Sequence, residues 1–200
     1  MKPFDVIAAD PAWSFGDRLT MSDVKRGAAS QYPVLDADAI RDLPVRALAA
    51  PDAVLLLWVP ASLLHTGMSV MDAWGFRQTQ VVVWYKADPR NDRIAFGMGR
   101  LFRSTKELAL VGVRGSPYRS VADRAVRDVF VHPRLPHSQK PEAVQDALDR
   151  MFPTAHRLEL FARRARPGWE CVGLDAPDTA GQDIRDVLPS MARLVTVPER

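Results

Sequence analysis

The chain has 200 residues, of which 47% are hydrophobic and 26% are charged, as in an ordinary globular domain. Lysine and arginine number 27 against 24 acidic residues, so the net charge of +3 permits a polyanionic partner without requiring one. The single cysteine, Cys171, excludes an internal disulfide and a multi-cysteine metal site, which favours a cytoplasmic setting. No apolar run approaches the roughly 20 residues that span a bilayer, and the first residues do not form a signal peptide.

Short apolar segments alternate with amphipathic ones along the chain. In order, we predict a strand over 4–9, a polar loop over 17–31, a helix over 36–43 with a further turn to 48, a strand over 53–59 and a helix over 61–74. There follow strands over 80–85 and 108–113 around a long loop (87–106), a turn-rich stretch (115–138), a helix over 141–151, and strands over 157–161 and 169–173. The alternation indicates an α/β fold around a mostly parallel sheet, with ligands at the carboxyl ends of the strands.

Residues 1–176 are predicted to form one domain, and 177–200 a C-terminal extension that is either a peripheral helix or a loose tail.

The first strand ends in Asp10-Pro11-Ala12-Trp13, a motif whose carboxylate, backbone carbonyl and aromatic ring could together bind the amino group of a base. The amino group of a base is a poor nucleophile, because its lone pair is delocalised into the ring. A carboxylate and a backbone carbonyl that accept its two N–H bonds can orient it, and an aromatic face can hold the base. The alternative, in which Asp10 caps a turn and Trp13 belongs to the core, stays open for these four residues alone.

Several further blocks follow in a fixed order, and together with the first motif they carry a resemblance. They are Tyr32-Pro33, Leu55 to Val59, Val83 to Lys86, Lys106-Glu107, Leu110 to Gly115, His137 to Pro141, Glu159 to Arg164 and Pro167 to Trp169. With this set the chain resembles the MT-A70-like family of S-adenosylmethionine-dependent adenine methyltransferases, of bacterial or phage type. The resemblance implies a Rossmann-like methyltransferase fold in permuted order, with the catalytic motif N-terminal and part of the cofactor site C-terminal.

The same resemblance implies a binding site for S-adenosylmethionine. Lys140 matches the lysine that binds the methionine part of the cofactor, and Arg163 matches an arginine beside its ribose. Asp175 corresponds to one member of a polar pair on the ribose hydroxyls, and Phe161 also falls in this site. Ser138 is either a cofactor contact or a helix cap.

For the target base, the resemblance assigns Asp10 to both cofactor and amino group, the Pro11 carbonyl to the amino group and Trp13 to the base. Tyr32 and Glu107 match residues near the target nucleoside. Trp58 is assigned either to substrate or to the core.

The sequence departs from the family pattern at Ala12, Gln139 and Leu174. These residues replace a proline, a histidine and the first member of the polar ribose pair. The change at Ala12 is expected to be tolerated, because the group needed there is the Pro11 carbonyl, whereas Leu174 is expected to weaken the cofactor contact.

Arginines in the long loop supply a hypothesis about the polymer. Arg90, Arg93 and Arg100 are expected to grip a nucleic-acid backbone. A compact chain of bacterial or phage type favours DNA over RNA, acting as a monomer or a homodimer. No metal is expected, because His132 and His137 lack partners at metal-ligand spacing.

The rival functions are the same chemistry on RNA adenine or on the cytosine amino group, and a catalytically weak nucleic-acid-binding scaffold.

Overall fold

The computed structural model describes residues 1–14, 35–88, 93–95, 97, 101–135 and 139–196. Tyr32, Arg90, Arg100, His137, Ser138 and the predicted loop over 17–31 therefore lie outside the described residues. Among those described, no helix is both long enough and apolar enough to cross a bilayer.

Within the described residues, seven strands form one sheet: β1 (Phe4–Ala9), β2 (Ala49–Val59), β3 (Arg77–Ala87), β4 (Lys106–Arg114), β5 (Val129–Pro133), β6 (Arg157–Leu160) and β7 (Glu170–Val172). Their spatial order is β5-β3-β4-β2-β1-β6-β7. Only β4 runs against its neighbours, pairing antiparallel with both β2 and β3, while the remaining pairs are parallel. The predicted Rossmann-like α/β fold with a mostly parallel sheet is therefore confirmed.

In the part of the chain that the structure describes, five α-helices cover the sheet: α1 (Ala37–Arg41), α2 (Val45–Leu48), α3 (Leu64–Ala73), α4 (Glu142–Met151) and α5 (Ile184–Leu194). Residues on β1 alternate between two hydrophobic clusters, because successive side chains of a strand point to opposite faces. The cluster with Ile7 contains side chains of α1, α2, α3 and α5, whereas the cluster with Ala8 contains side chains of α4. Burial on both faces explains why β1 and β2 are almost continuously apolar.

Local signals set the helix ends. The Asp36 side chain accepts a hydrogen bond from Ala39 N–H at 2.7 Å and so begins α1. Gly75 follows α3 with φ of +81°, a conformation in which a Cβ would be strained. Asp183 caps α5 in the same way as Asp36, and Ile184 and Leu188 of α5 lie in the core.

The turn-rich prediction for residues 115–138 was wrong in part, because β5 lies within that stretch. It is a five-residue strand at the edge of the sheet, with alternating exposed residues and a terminal proline. Such a strand buries little apolar surface and resembles a loop in sequence. Strands β2 and β3 also extend beyond their predicted bounds of 53–59 and 80–85.

Candidate active site

The carboxyl ends of the central strands place the first site residue. β1 ends at Ala9, so Asp10 is the first residue beyond the sheet, and its N–H donates to Leu160 O of β6 at 3.4 Å. Because β4 is antiparallel, its beginning lies beside the end of β2, with Leu108 paired to Val59. Glu107 is thereby brought to the same edge as Asp10.

Four charged side chains of alternating sign connect these strand ends. Lys140 Nζ lies 2.8 Å from Asp10 Oδ2 and 3.4 Å from Glu107 Oε2. The Lys86 ammonium donates to the other oxygen of Glu107. Both ammonium groups lie over indole rings, Lys140 at 5.5 Å from the centroid of Trp58 and Lys86 at 4.7 Å from that of Trp84. Two carboxylates and two ammonium groups thus compensate each other at the mouth of the site.

Burial and ion pairing act in opposite directions on this cluster. Burial alone would raise the pKa of Glu107, but the ammonium groups of Lys140 and Lys86 outweigh it and hold the pKa below its usual value. Burial likewise opposes the charge of Lys140, yet Asp10 and Glu107 raise the pKa of its ammonium group. Glu107 is therefore an ionised, acceptor-only carboxylate and Lys140 a fixed cation at neutral pH.

Trp13 is only 5% exposed and belongs to the hydrophobic core. Its indole N–H donates to Trp58 O at 2.9 Å, which ties the last residue of the Asp10-Pro11-Ala12-Trp13 motif to the end of β2. Of the two roles open for Trp13, the structure favours packing over contact with a base. The Pro11 carbonyl accepts the Trp13 backbone N–H at 2.9 Å, and a carbonyl has a second lone pair for a further donor.

A cavity of about 380 Å³ opens at these strand ends, a volume within the usual range of small-molecule sites, about 300–1,000 Å³. Its wall is formed by residues from both halves of the chain and includes cations and carboxylates. The lining residues are Ala8, Ala9, Asp10, Trp58, Gln139, Lys140, Glu142, Gln145, Glu159, Leu160, Phe161, Arg163, Arg164 and Asp175. Burial raises the pKa of Glu159 on this wall, although Gln145 donates a hydrogen bond to it. Leu174 is exposed, so this departure from the family pattern is a solvent-facing side chain beside Asp175.

The turn after β6 directs Phe161 and Arg163 into the wall. Phe161 has φ of +63°, in the left-handed region that is unfavourable for an aromatic residue. Ala162 N–H donates to Val172 O at 3.0 Å, and a Cβ on Gly173 would lie 2.1 Å from Ala162 O. The absence of a side chain at Gly173 therefore allows the end of β7 to hold this turn in its strained form.

Ion pairs hold helix α4 and the segment after this turn together; Arg164 makes one of them, to Glu142, and Arg166 makes three. Arg166 is 9% exposed at its side chain and contacts Glu142, Asp146 and Asp149 of α4, at 2.5, 2.6 and 2.7 Å. These three acids lie on one face of the helix. Trp169 Nε1 adds a hydrogen bond to Asp149 at 2.9 Å. Lys140 lies just before α4, and Arg163 lies just before Arg166. The ion pairs of Arg166 with α4 therefore set the distance between the cavity wall that carries Lys140 and the wall that carries Arg163.

Arg166→Met is therefore expected to raise KM for the methyl donor about tenfold while kcat changes less than threefold. The free energy of unfolding should fall by about 2 kcal/mol, less than for a fully buried pair because the acids are partly exposed. Initial rates against donor concentration and urea unfolding measure the two effects. Arg185→Met is the matched control, since Arg185 pairs with Asp183 on the exposed face of α5 at 2.5 Å. An unchanged KM in Arg166→Met would show that the ion pairs of Arg166 do not position the cavity walls.

Of the site residues chosen from sequence that the structure describes, most come together in one place. Six of them line the cavity: Asp10, Trp58, Lys140, Phe161, Arg163 and Asp175. Glu107 joins them through Lys140, and Arg93 lies exposed in the connection between β3 and β4.

Three further residues were missed. Lys86 and Glu159 were noticed only as parts of motifs, although an ionisable residue inside an apolar strand is unusual and could have marked each. Arg166 gave no comparable signal.

A Rossmann-like sheet that places a carboxylate and a lysine at one end of a polar cavity is an arrangement with which α/β domains bind small-molecule ligands. The MT-A70 family model matches residues 4–175. The chain belongs to the MT-A70 family, which confirms the resemblance found in its motifs.

Individual relatives are consistent with this. The type II methyltransferase M.MunI from Mycoplasma sp is 31% identical over 192 residues, which cover 88% of this chain and 79% of that protein. The N(6)-adenosine-methyltransferase MT-A70-like protein of Arabidopsis thaliana is 31% identical, and the human N(6)-adenosine-methyltransferase catalytic subunit METTL3 is 28% identical. Each aligns with 85% of this chain, which spans only 23% and 28% of their lengths.

Proposed function

We propose that this chain transfers a methyl group from S-adenosylmethionine to the exocyclic amino group of adenine in DNA. The observation that carries the proposal is the pair of Asp10 and Lys140, 2.8 Å apart at the mouth of the cavity. The adenine chemistry agrees with the names of the plant and human relatives, and the type II methyltransferase M.MunI supports DNA as the polymer.

The donor set of the cavity fits S-adenosylmethionine. Lys140 would hold the methionine carboxylate by a charge-assisted hydrogen bond, and Asp10 would accept a hydrogen bond from the methionine ammonium. Glu159, Arg163 and Asp175 lie on the wall that would receive the nucleoside, with Phe161 as an apolar surface. When bound, the cofactor supplies a methyl group already activated on a sulfonium.

The remaining chemistry belongs to the chain. Asp10 accepts one N–H of the target amino group, and the second lone pair of the Pro11 carbonyl accepts the other. This would orient the nitrogen lone pair toward the methyl group, so Asp10 acts as an acceptor that aligns a weak nucleophile. The new N–C bond would replace the sulfonium S–C bond, whose electron pair stays on the departing thioether, and the N–H proton that the methylated nitrogen loses would pass by way of Asp10 to solvent. Glu107, kept ionised by Lys86 and Lys140, presents a further acceptor on the side of the base.

The test is transfer of labelled methyl from S-adenosylmethionine to unmethylated DNA and to RNA, with Asp10→Asn as the inactive control. We expect label in DNA, located on adenine after enzymatic digestion to nucleosides. Polymers lacking either adenine or cytosine separate the two amino groups. Label only in RNA, only in cytosine, or in neither polymer would each refute the proposal as stated.

A further inference from the structure

An exposed apolar pair projects from the connection between β3 and β4. Leu101 is 93% exposed and Phe102 is 90% exposed, more than any other large hydrophobic residue among those described. Burying such a pair in a partner gains free energy, whereas leaving it in water does not. The exposure of the pair therefore indicates a binding partner, and the residues around the pair indicate what kind of partner it is.

The pair lies close to the active site in the sequence. Phe102 lies five positions before Glu107, which contacts Lys140. The base of the connection is fixed to the sheet, since Lys86 N–H donates to Thr105 O at 2.9 Å and Ala95 N–H to Lys86 O at 2.8 Å. A Cβ on Gly97 would come within 1.7 Å of Ser104 O, so the two sides of the connection touch. Leu101 and Phe102 thus project from an anchored stem.

Charge near the pair favours a polyanion. Arg103 follows it directly, and Arg93 lies on the other side of the stem, both on exposed positions. An apolar tip between cations matches a polymer with phosphates outside and stacked bases within. A protein partner would have to place carboxylates around its apolar contact to meet the same surface.

We propose that Leu101 and Phe102 form a wedge that enters duplex DNA and fills the space left when the target adenine turns out into the active site. The inference rests on the proposed function and adds duplex DNA as the substrate. A paired adenine cannot reach Asp10 without leaving the stack, and unstacking costs a few kcal/mol that an inserted aromatic side chain offsets.

The double variant Leu101→Ser, Phe102→Ser is compared with wild type on one unmethylated plasmid, native or heat-denatured. Both positions are almost fully exposed, so the fold is expected to remain intact. We expect methyl transfer to native plasmid to fall at least tenfold, the scale of a lost base–aromatic stack, while transfer to denatured plasmid stays within twofold. Tyr118→Ser is the matched control, because Tyr118 is an exposed aromatic residue beyond the opposite end of β4.

A second measurement separates the wedge from general binding. Once the methylated adenine is mapped, it is placed opposite a mismatched base in an oligonucleotide duplex. The mismatch is expected to restore most of the lost rate of the variant, because the target is already partly unstacked.

Two results for the double variant would overturn the wedge: an equal loss of methyl transfer on native and denatured plasmid, or no loss on either. In both cases the proposed function would still hold, as long as wild-type protein methylates the plasmid. A loss on both that accompanies a change from dimer to monomer in sedimentation would identify the pair as a contact between copies, and so would also overturn it. Wild-type protein that methylates neither form of DNA would instead refute the proposed function.

Discussion

Asp10→Asn is expected to lower kcat by about 10²–10³-fold, the usual cost of removing one preorganised electrostatic contact to the transition state. Asparagine preserves the size of the side chain but replaces one acceptor oxygen by an NH₂ donor, which would face the target amino group donor to donor. The substitution also removes the negative charge that Lys140 contacts at 2.8 Å. Both the orientation of the nucleophile and the position of the lysine therefore change.

The measurement is kcat and KM for each substrate, together with the Kd of S-adenosylmethionine by calorimetry. The loss should be mainly in kcat, because the interaction acts on the reacting amino group. Asp5→Asn provides the control on the same strand: Asp5 Oδ2 accepts His156 N–H at 2.8 Å at the opposite end of β1, and an asparagine oxygen can still accept it. If Asp10→Asn kept more than a tenth of wild-type kcat, Asp10 would not be the orienting group.

The central sheet could be predicted because its strands are long and buried on both faces. Residues 6–9 of β1 and 53–59 of β2 are apolar runs bounded by prolines and charged residues, and a glycine follows shortly after helix α3, so local signals agree with the tertiary environment. β5 could not be predicted, since its five residues gain their stability from pairing with β3.

The charged cluster shows a different limit of sequence reasoning. Lys86 and Glu107 lie 21 positions apart and meet only because Trp84 pairs with Glu107 in the antiparallel register of β3 and β4. A shift of one residue would turn the glutamate to the other face. The motifs therefore identified residues of the site singly, whereas the strand register determines which of them touch.

The direction in which the Trp13 side chain points could not be predicted from the sequence either. Its motif suggested an aromatic surface for a base, but the indole N–H binds Trp58 O inside the core. A tryptophan that must satisfy its N–H when buried can serve packing as well as recognition, and only the position of β2 decides between them.

Lys140→Met is expected to raise KM for S-adenosylmethionine by about 10–100-fold, the loss of one hydrogen bond between charged groups of roughly 1.5–3 kcal/mol. Lys140→Arg should recover part of this, because it keeps the positive charge. Lys2→Met is the matched control, since Lys2 is exposed ahead of β1. A wild-type KM in Lys140→Met would show that the lysine serves the fold alone.

The same variant should shift the pH dependence of the enzyme. Lys140 is one of the two cations that lower the pKa of Glu107, and burial acts to raise that pKa once the cation is gone. The acid limb of kcat/KM should therefore move to higher pH in Lys140→Met. Lys140→Arg should leave it near the wild-type position.

Stability should follow with the sign that these shifts require. Glu107, whose pKa is lowered in the fold, stabilises the protein above its unfolded pKa, and this contribution is lost as the pH falls through the folded value. Lys140, whose pKa is raised, contributes at every pH below its unfolded value and loses this contribution as the pH rises through the folded one. The free energy of unfolding of wild type should therefore exceed that of Lys140→Met most at neutral pH, by about 2 kcal/mol. Urea unfolding at a series of pH values measures the difference, which should shrink as the pH falls below the ordinary glutamate pKa of about 4.3 toward the lowered pKa of folded Glu107. A constant difference across that range would show that the lysine stabilises the fold by packing and not through Asp10 and Glu107.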